Sequence, residues 1–185
     1  MFARTERLLL RPGWREDAPA FSRAVADEGI VRNLAQAPWP YRPGDAETFL
    51  MRERRPHEPT CLVFLRGDGA PILVGAVGLG RAPDGELELG YWIARPWWGR
   101  GIATEAGAAL IANARDSLRV PRLVAGHFTD NPASGRVLQK LGFRATGVTR
   151  GRYSAGRDAI APCREFTLEL AAAEAEPKPA RAMAA

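Results

Sequence analysis

Two periodicities divide this 185-residue chain. Thr5 to Pro12 (TERLLLRP) carries a short apolar run closed by a proline and predicts a first strand. From Trp14 to Asp27, Ala20, Phe21, Ala24 and Val25 recur at helical spacing and predict a helix. Val31 to Pro43 (VRNLAQAPWPYRP) is rich in proline and aromatics, which predicts a loop or a broken helix. Gly44 to Arg55 reads as a second helix with Asp45 as its N-cap. Cys61 to Gly80 holds two apolar runs around Gly-Asp-Gly-Ala-Pro, a hairpin signal. Gly85 to Ile93 follows a turn and reads as a third linked strand. Gly101 to Leu118 is the strongest helix, rich in alanine and ending near Pro121. Arg122 to Thr129 is a strand, and Asn131 to Gly142 a short helix with a glycine stop. Phe143 to Tyr153 and Cys163 to Leu170 are the last strands.

The order is β-α-α-β-β-β-α-β-α-β-β. The alanine-rich helix joins two strands in the manner of a βαβ unit, which implies a mixed sheet with helices in one α+β (α/β) domain. That domain is expected over residues 1–170. Residues 171–185 offer no large apolar face and are expected to be a helical fray and a disordered tail.

Composition narrows the class. The chain is 46% hydrophobic and 25% charged, ordinary globular usage, with a formal net charge of +5. A basic balance favours an anionic partner, although an inert basic surface gives the same number. Two cysteines make no disulfide framework. Leu8 to Leu10 is too short for a signal peptide core or a membrane span, so a cytoplasmic protein away from membranes is expected. His57 and His127 stand without a ligand cluster, so no metal is expected.

The chemistry concentrates at Tyr91 to Ala114 (YWIARPWWGRGIATEAGAALIANA). A strand runs into a turn with two glycines and then into a helix. Such a turn presents N–H groups that the helix leaves unsatisfied, at the positive end of its dipole. A phosphate is the natural ligand. Gly99 and Gly101 leave the backbone bare, Arg100 adds a charge and Thr104 a hydroxyl. No nucleotide P-loop string is present, and a dinucleotide pattern fails at Thr104. The other glycine cluster, Gly75 to Gly80, lies inside a strand pattern and predicts a bulge or close strand packing.

The segments GYWIARPWWGRGIATEA and NPASGRVLQKLGF together resemble the acyl-CoA-binding core of the GNAT N-acetyltransferase superfamily, most of all its RimJ/RimL-type branch. The resemblance runs from Thr5 to about Leu170. It implies a central mixed, mostly antiparallel twisted sheet of about seven strands flanked by about four helices. It implies acetyl-CoA as co-substrate and an amine as acceptor: a protein N-terminal α-amine, or a small-molecule amine. The implied cofactor contacts are Trp92, Ile93, Trp98, Gly99, Arg100, Gly101, Ile102, Ala103, Thr104, Asn131 and Ser134. Trp98 departs from the family's Gln/Arg position, where its branch often carries an aromatic. Trp97 and Trp98 are expected to pack the turn against the sheet. Relatives are commonly dimers, which allows a homodimer.

By the same resemblance Ser134 is the candidate acid for the departing thiolate, against a plain helix-terminal serine bonding its own backbone. Glu88 is the candidate base or cation-binding carboxylate. Strand alternation puts Glu86, Glu88 and Gly90 on one face and Leu87, Leu89 and Tyr91 on the other. Against this, both glutamates fit a solvated face. N–H groups near Ile93 are candidates to polarise a thioester carbonyl. His127 and Tyr153 are further acid–base candidates. Ala37 to Pro43 is expected to line the acceptor entrance. Two other classes stay open: an acyl-CoA-binding module without turnover, and nucleic-acid binding. The scattered arginines and lack of a stacking-aromatic motif speak against the latter, and no direct nucleic-acid contact is expected.

Overall fold

The computed structural model describes residues 1–53 and 55–170. The expected tail, 171–185, lies outside them. One eight-stranded sheet, in the order β1-β2-β3-β4-β5-β6-β8-β7, carries helices on both faces. The strands are β1 (Ala3–Arg4), β2 (Leu8–Arg11), β3 (Thr60–Leu65), β4 (Ile72–Arg81), β5 (Leu87–Ile93), β6 (Arg122–Phe128), β7 (Arg144–Ser154) and β8 (Ala159–Glu169). The helices are α1 (Ala18–Val25), α2 (Glu28–Val31), α3 (Pro43–Met51), α4 (Ile102–Asp116) and α5 (Pro132–Lys140).

The eighth strand is the two-residue β1, too short to leave an apolar pattern. The fifth helix is the four-residue α2, which ends where the segment read as a loop or broken helix begins. Its cap is the Asp27 side chain, which accepts the Gly29 N–H at 2.8 Å. Asp45 is not an N-cap. Arg42 holds that place, and Asp45 sits three residues on, accepting the Arg42 N–H at 2.7 Å. Pro43 occupies the first helical turn, where its missing N–H costs nothing.

Two apolar layers sandwich the sheet. Leu10, Val63, Leu89 and Ile93 meet Ile102, Ala106 and Leu110 of α4 and Leu138 of α5 on one side. Leu62, Phe64, Ala76 and Trp92 meet Phe21 and Val25 of α1, Val31 of α2 and Leu50 of α3 on the other. The Phe21 and Trp92 rings meet edge-on at 5.2 Å. Two of the three glycines of β4, Gly75 and Gly78, mark close approach as expected, whereas Gly80 faces open space. A Cβ on Gly75 would collide with the Trp92 carbonyl, and one on Gly78 would lie 3.0 Å from Thr60 Oγ1. A register shift falls on the facing strand at Val63/Phe64.

The β5-α4-β6 unit is parallel, as its connection requires. Its pairing is minimal. β4 and β5 match over seven residue pairs, whereas β5 and β6 match only at Glu88 and Val124. Beyond that point the two strands part, and the sheet opens towards their C-terminal ends.

Candidate functional site

The gap between β5 and β6 is lined by backbone. Ala94 N–H donates to Val74 O, so Ala94 faces β4. Antiparallel alternation then turns Trp92 and Gly90 towards β4 as well, and aims the N–H and C=O groups of Tyr91 and Ile93 into the gap. Ile93 therefore stands where the sequence placed a carbonyl-polarising donor. Trp92 does not contribute there. Its indole is buried against Phe21 and its backbone is engaged by β4, so it supports the strand from behind.

The strand leads through a short 3-10 turn at Arg95–Trp97 into the glycine loop. Gly99 and Gly101 both have positive φ, 74° and 76°. A side chain is strained in that region, which explains both glycines. No atom lies within 4 Å of a Cβ placed on Gly99, and only Arg7 Nη2, at 3.5 Å, approaches one on Gly101. The space above the loop is open. The first hydrogen bond of α4 runs from Glu105 N–H to Gly101 O at 3.0 Å. The N–H groups of Ile102, Ala103 and Thr104 thus precede the helical ladder. The Ile102 side chain is core, so that residue has only its N–H to offer. These features fit a pyrophosphate.

The tryptophans beside the loop differ. Trp97 is half-buried between the two apolar layers, as expected. Trp98 is 47% exposed and holds the turn by a hydrogen bond instead, its indole N–H donating to Ile93 O at 2.6 Å. Arg100 lies over the Trp97 ring at 4.9 Å.

Glu105, in the first turn of α4, would repel a phosphate if left alone. Thr5 Oγ1 donates to it at 2.5 Å, Arg7 N–H at 2.9 Å and Arg7 Nε at 2.7 Å. Burial alone would push this carboxyl up. The bonds from Thr5 and Arg7 outweigh burial and hold it below the usual carboxylate range. Arg7 Nη1 also donates to Arg100 O at 3.0 Å, so the β1–β2 turn clamps the loop. The sequence carried one signal for this, an acid in a phosphate-facing turn that needs a cation from elsewhere.

Across the gap, Asn131 caps α5. Its Oδ1 accepts Ser134 N–H at 3.3 Å. Ser134 Oγ does not bond its own backbone. It lies 2.8 Å from the hydroxyl of Tyr91, which donates to Ser134 O at 3.1 Å. Burial pushes the Tyr91 phenol up to about 12, the serine contact opposing it. Alternation places Tyr91 on this face, but nothing in the sequence names its partner.

Glu88 lies at the closed end of the gap. Its carboxylate is partly buried and is not free. Arg152 of β7 grips both oxygens, Nη1 on Oε1 and Nη2 on Oε2, the latter at 2.6 Å. To get there the arginine crosses β8 beside Cys163 and β6 above Gly126. The bond to Glu88 makes Arg152 a still weaker acid, while burial pushes the Cys163 thiol up. No sequence signal joins residues 64 positions apart. Strand geometry also separates Glu88 from Tyr91 by about 10 Å and from Ile93 by about 16 Å. The carboxylate reaches the centre of the gap only through water or a bound molecule. Glu86 pairs separately with Arg122 at 2.9 Å.

The other candidates fall outside this assembly. His127 is buried against α5, with Nδ1 2.8 Å from Phe128 O. Tyr153 is exposed and donates to Asp158 at 2.7 Å. Tyr41, from the Pro-rich segment, packs near Phe21 with ring centroids 6.4 Å apart. That segment meets the β7–β8 hairpin where Ala155 N–H donates to Ala35 O at 3.0 Å. Ser154 and Arg157 on the hairpin donate to Arg32 O, and Arg157 also grips Asp130. Among the described residues no helix is long and apolar enough to cross a membrane, and no three His, Cys, Asp or Glu side chains are placed to hold a metal.

Comparison with known proteins matches this arrangement. The uncharacterized N-acetyltransferase YoaA of Bacillus subtilis (strain 168) is 35% identical over 80 residues, 42% of this chain and 45% of that protein. The [ribosomal protein uS5]-alanine N-acetyltransferase of Escherichia coli (strain K12) is 34% identical over 62 residues, 34% of this chain and 32% of that one. The chain thus spans less than half the length of these relatives. The solved structure of RimL, the ribosomal L7/L12 alpha-N-protein acetyltransferase in complex with coenzyme A, superposes with a TM-score of 0.78 at 17% identity, over 94% of this chain and all of that one. Residues 7–144 match the acetyltransferase (GNAT) domain. This chain, with its parted β5 and β6 and its glycine loop opening α4, belongs to that family.

Proposed function

We propose that the protein transfers an acetyl group from acetyl-CoA to a primary amine, and that the amine is the N-terminal α-amine of a polypeptide. The observation that carries this reading is the junction of two features. An open, positive-φ glycine loop at the start of α4 adjoins a gap that β6 leaves beside Tyr91 and Ile93, into which alternation points their N–H groups.

On this reading the N–H groups from Gly99 to Thr104 hold the pyrophosphate, and the Ile93 amide faces the thioester carbonyl. Ser134, with Tyr91 behind it, returns a proton to the departing thiolate. Glu88, at the closed end of the gap, takes up the acceptor's surplus proton through water. A strong base is not required for this acceptor. An α-amine with a pKa of about 7.7–8.0 is already roughly a tenth neutral at pH 7, whereas a lysine is a few hundred times less available. The setting is the cytoplasm, where acetyl-CoA and nascent or ribosomal polypeptides meet.

The experiment is an acceptor screen with thiol release as readout, covering N-terminal peptides, free amino acids, polyamines and aminoglycosides. Turnover with peptide α-amines above the rest supports the reading. Turnover restricted to a small amine moves the acceptor class. One observation favours a second reading, an acyl-CoA-binding module without turnover: the carboxylate nearest the gap is already in an ion pair. Tight acetyl-CoA binding with no acceptor-dependent thiol release would establish it.

A further inference from the structure

The open end of the gap is framed by a ring of contacts, and Arg157 holds the part that no strand provides. On one face of the sheet Arg95, just past β5, donates to Asp27 at 3.2 Å, and Asp27 caps α2. On the other face Tyr91 of β5 meets Ser134 of α5. The two faces are joined past the end of β6, at the tip of the β7–β8 hairpin. There Arg157 Nη1 and Nη2 grip both oxygens of Asp130, in the β6–α5 turn, each at 2.8 Å. Its Nε donates to Arg32 O at 2.6 Å and its Nη2 to Asn33 Oδ1 at 3.3 Å, where α2 ends. The guanidinium lies over the Phe128 ring at 4.7 Å.

Although it stands in a hairpin turn, the Arg157 side chain is only 14% exposed. Its planar fork serves acceptors on α2 and a carboxylate beside α5 at once, which a lysine cannot do. The turn beneath it is fixed. Ala155 N–H donates to Ala35 O at 3.0 Å, Ser154 Oγ to Leu34 O at 2.9 Å, and a Cβ on Gly156 would lie 2.6 Å from Val31 O. Asp130 is held below the usual carboxylate range chiefly by the bond from Arg157. The next residue, Asn131, caps α5 and accepts the Ser134 N–H. Arg32 also pairs with Asp130, at 2.9 Å, but through one nitrogen and with its side chain 47% exposed, which makes it the weaker link.

We propose that Arg157 is a positioning residue for acetyl transfer: by tying Asp130 to α2 it sets the width of the open end and holds Ser134 at the gap that the Ile93 amide faces. This role rests on the acetyltransferase reading above. Arg157 acts through Asp130 and Asn131 and not on the reacting atoms. The glycine loop makes none of its contacts, so the pyrophosphate cradle does not depend on it. A misplacement of about 1 Å at a reacting group costs up to about a hundredfold in rate.

The test is a double-mutant cycle on kcat, read as thiol release from acetyl-CoA with the acceptor that the screen above turns over fastest. Arg157→Gln should lower kcat by about tenfold in the otherwise wild-type protein, with acetyl-CoA affinity by calorimetry unchanged within about twofold. In a Ser134→Ala background the same change should cost less than about twofold, because its effect passes through that hydroxyl. Arg157→Lys, which keeps the charge and loses the fork, should fall between. It serves if the glutamine variant does not melt cooperatively, as does Asp130→Asn, which loosens the same link from its other side and should repeat the pattern. An undiminished kcat in Arg157→Gln overturns the proposal. So does an equal loss in both backgrounds, which means a general loosening of the fold, and so does a parallel loss of acetyl-CoA affinity. In each of these cases the wild type still acetylates and the acetyltransferase reading stands. Wild-type protein that releases no thiol with any acceptor of the screen overturns that reading, and this role with it.

Discussion

The Tyr91 hydroxyl lies 2.8 Å from Ser134 Oγ and donates to the Ser134 carbonyl at 3.1 Å. The contact ties β5 to α5 across the place where the sheet has parted. It also fixes the hydroxyl proposed to act on the thiolate. Ser134→Ala is expected to lower kcat by about a hundredfold, the lower end for a lost general acid, with little change in acetyl-CoA affinity. Tyr91→Phe should lower kcat less and cost about 1 kcal/mol of stability. The double variant should be no slower than Ser134→Ala alone, because both changes break one unit. Steady-state kinetics and thermal melts of the three variants check this.

The same phenol predicts an alkaline limit. Its pKa stands near 12 when folded, against 10 in an exposed tyrosine, and Tyr41 is raised equally by burial, with Asp45 adding to it. The folded state therefore holds these protons more tightly. Stability is unaffected below about pH 10 and falls as pH rises from there through 12. Urea melts across that range should show a shallower decline for Tyr91→Phe.

At the other side of the gap, Gly101→Val forces a branched side chain into positive φ at the start of α4. Strain of about 1–2 kcal/mol is expected there, which the fold tolerates. The loop cannot both relieve that strain and keep its amides aligned. Acetyl-CoA binding measured by calorimetry should disappear while the melt remains cooperative. Normal binding would refute the phosphate cradle.

The clamp on that loop has its own pH signature. Glu105 is held below its usual pKa, so its contribution is present above about pH 4.5 and is lost as pH falls through the depressed value. Arg7→Ala should weaken acetyl-CoA binding severalfold, leave kcat at saturation near wild type, and flatten the acid limb of the stability curve. Because Arg7 is largely exposed, the stability loss should be only about 1 kcal/mol.

Gly135→Ala sets two effects against each other. Alanine gains up to about 1 kcal/mol of helix propensity. Its Cβ would lie 2.7 Å from Nε2 of the buried His127, and overpacking costs about 1–3 kcal/mol. The clash should win, since the ring has no solvent to retreat into. A lower melting temperature and a lower kcat, as α5 and Ser134 shift together, are expected.

These sites show how far residue patterns reach. The strands and long helices are legible because their periodicity is strong. The loop is legible because two glycines beside bulky tryptophans mark a backbone that must stay bare. The faces of Glu88 and Tyr91 follow from alternation alone. Their partners do not. Arg152 and Ser134 come from other elements, and which side chains meet across a sheet depends on strand order, which no local period encodes. Trp98 escapes a local reading for a similar reason. An indole reads as packing, and only the position of the Ile93 carbonyl makes it a donor. Trp92 resembles part of the cleft because it adjoins Ile93, yet one residue along a strand is the opposite face. Asp45 meets the rule for a cap but stands three residues inside, where the rule's partner residue belongs.

The long reach of Arg152 over β8 and β6 also sets an order of assembly. Glu88 lies in the first half of the chain and its partner arrives 64 residues later, on the last hairpin to be synthesised among the described residues. Contacts of such separation form late, after the loop between them has closed. Only docking of the β7–β8 hairpin supplies the guanidinium. The same hairpin brings Phe166 into the core that α4 covers, so the packing beneath the glycine loop and the partner of Glu88 are completed by one late event.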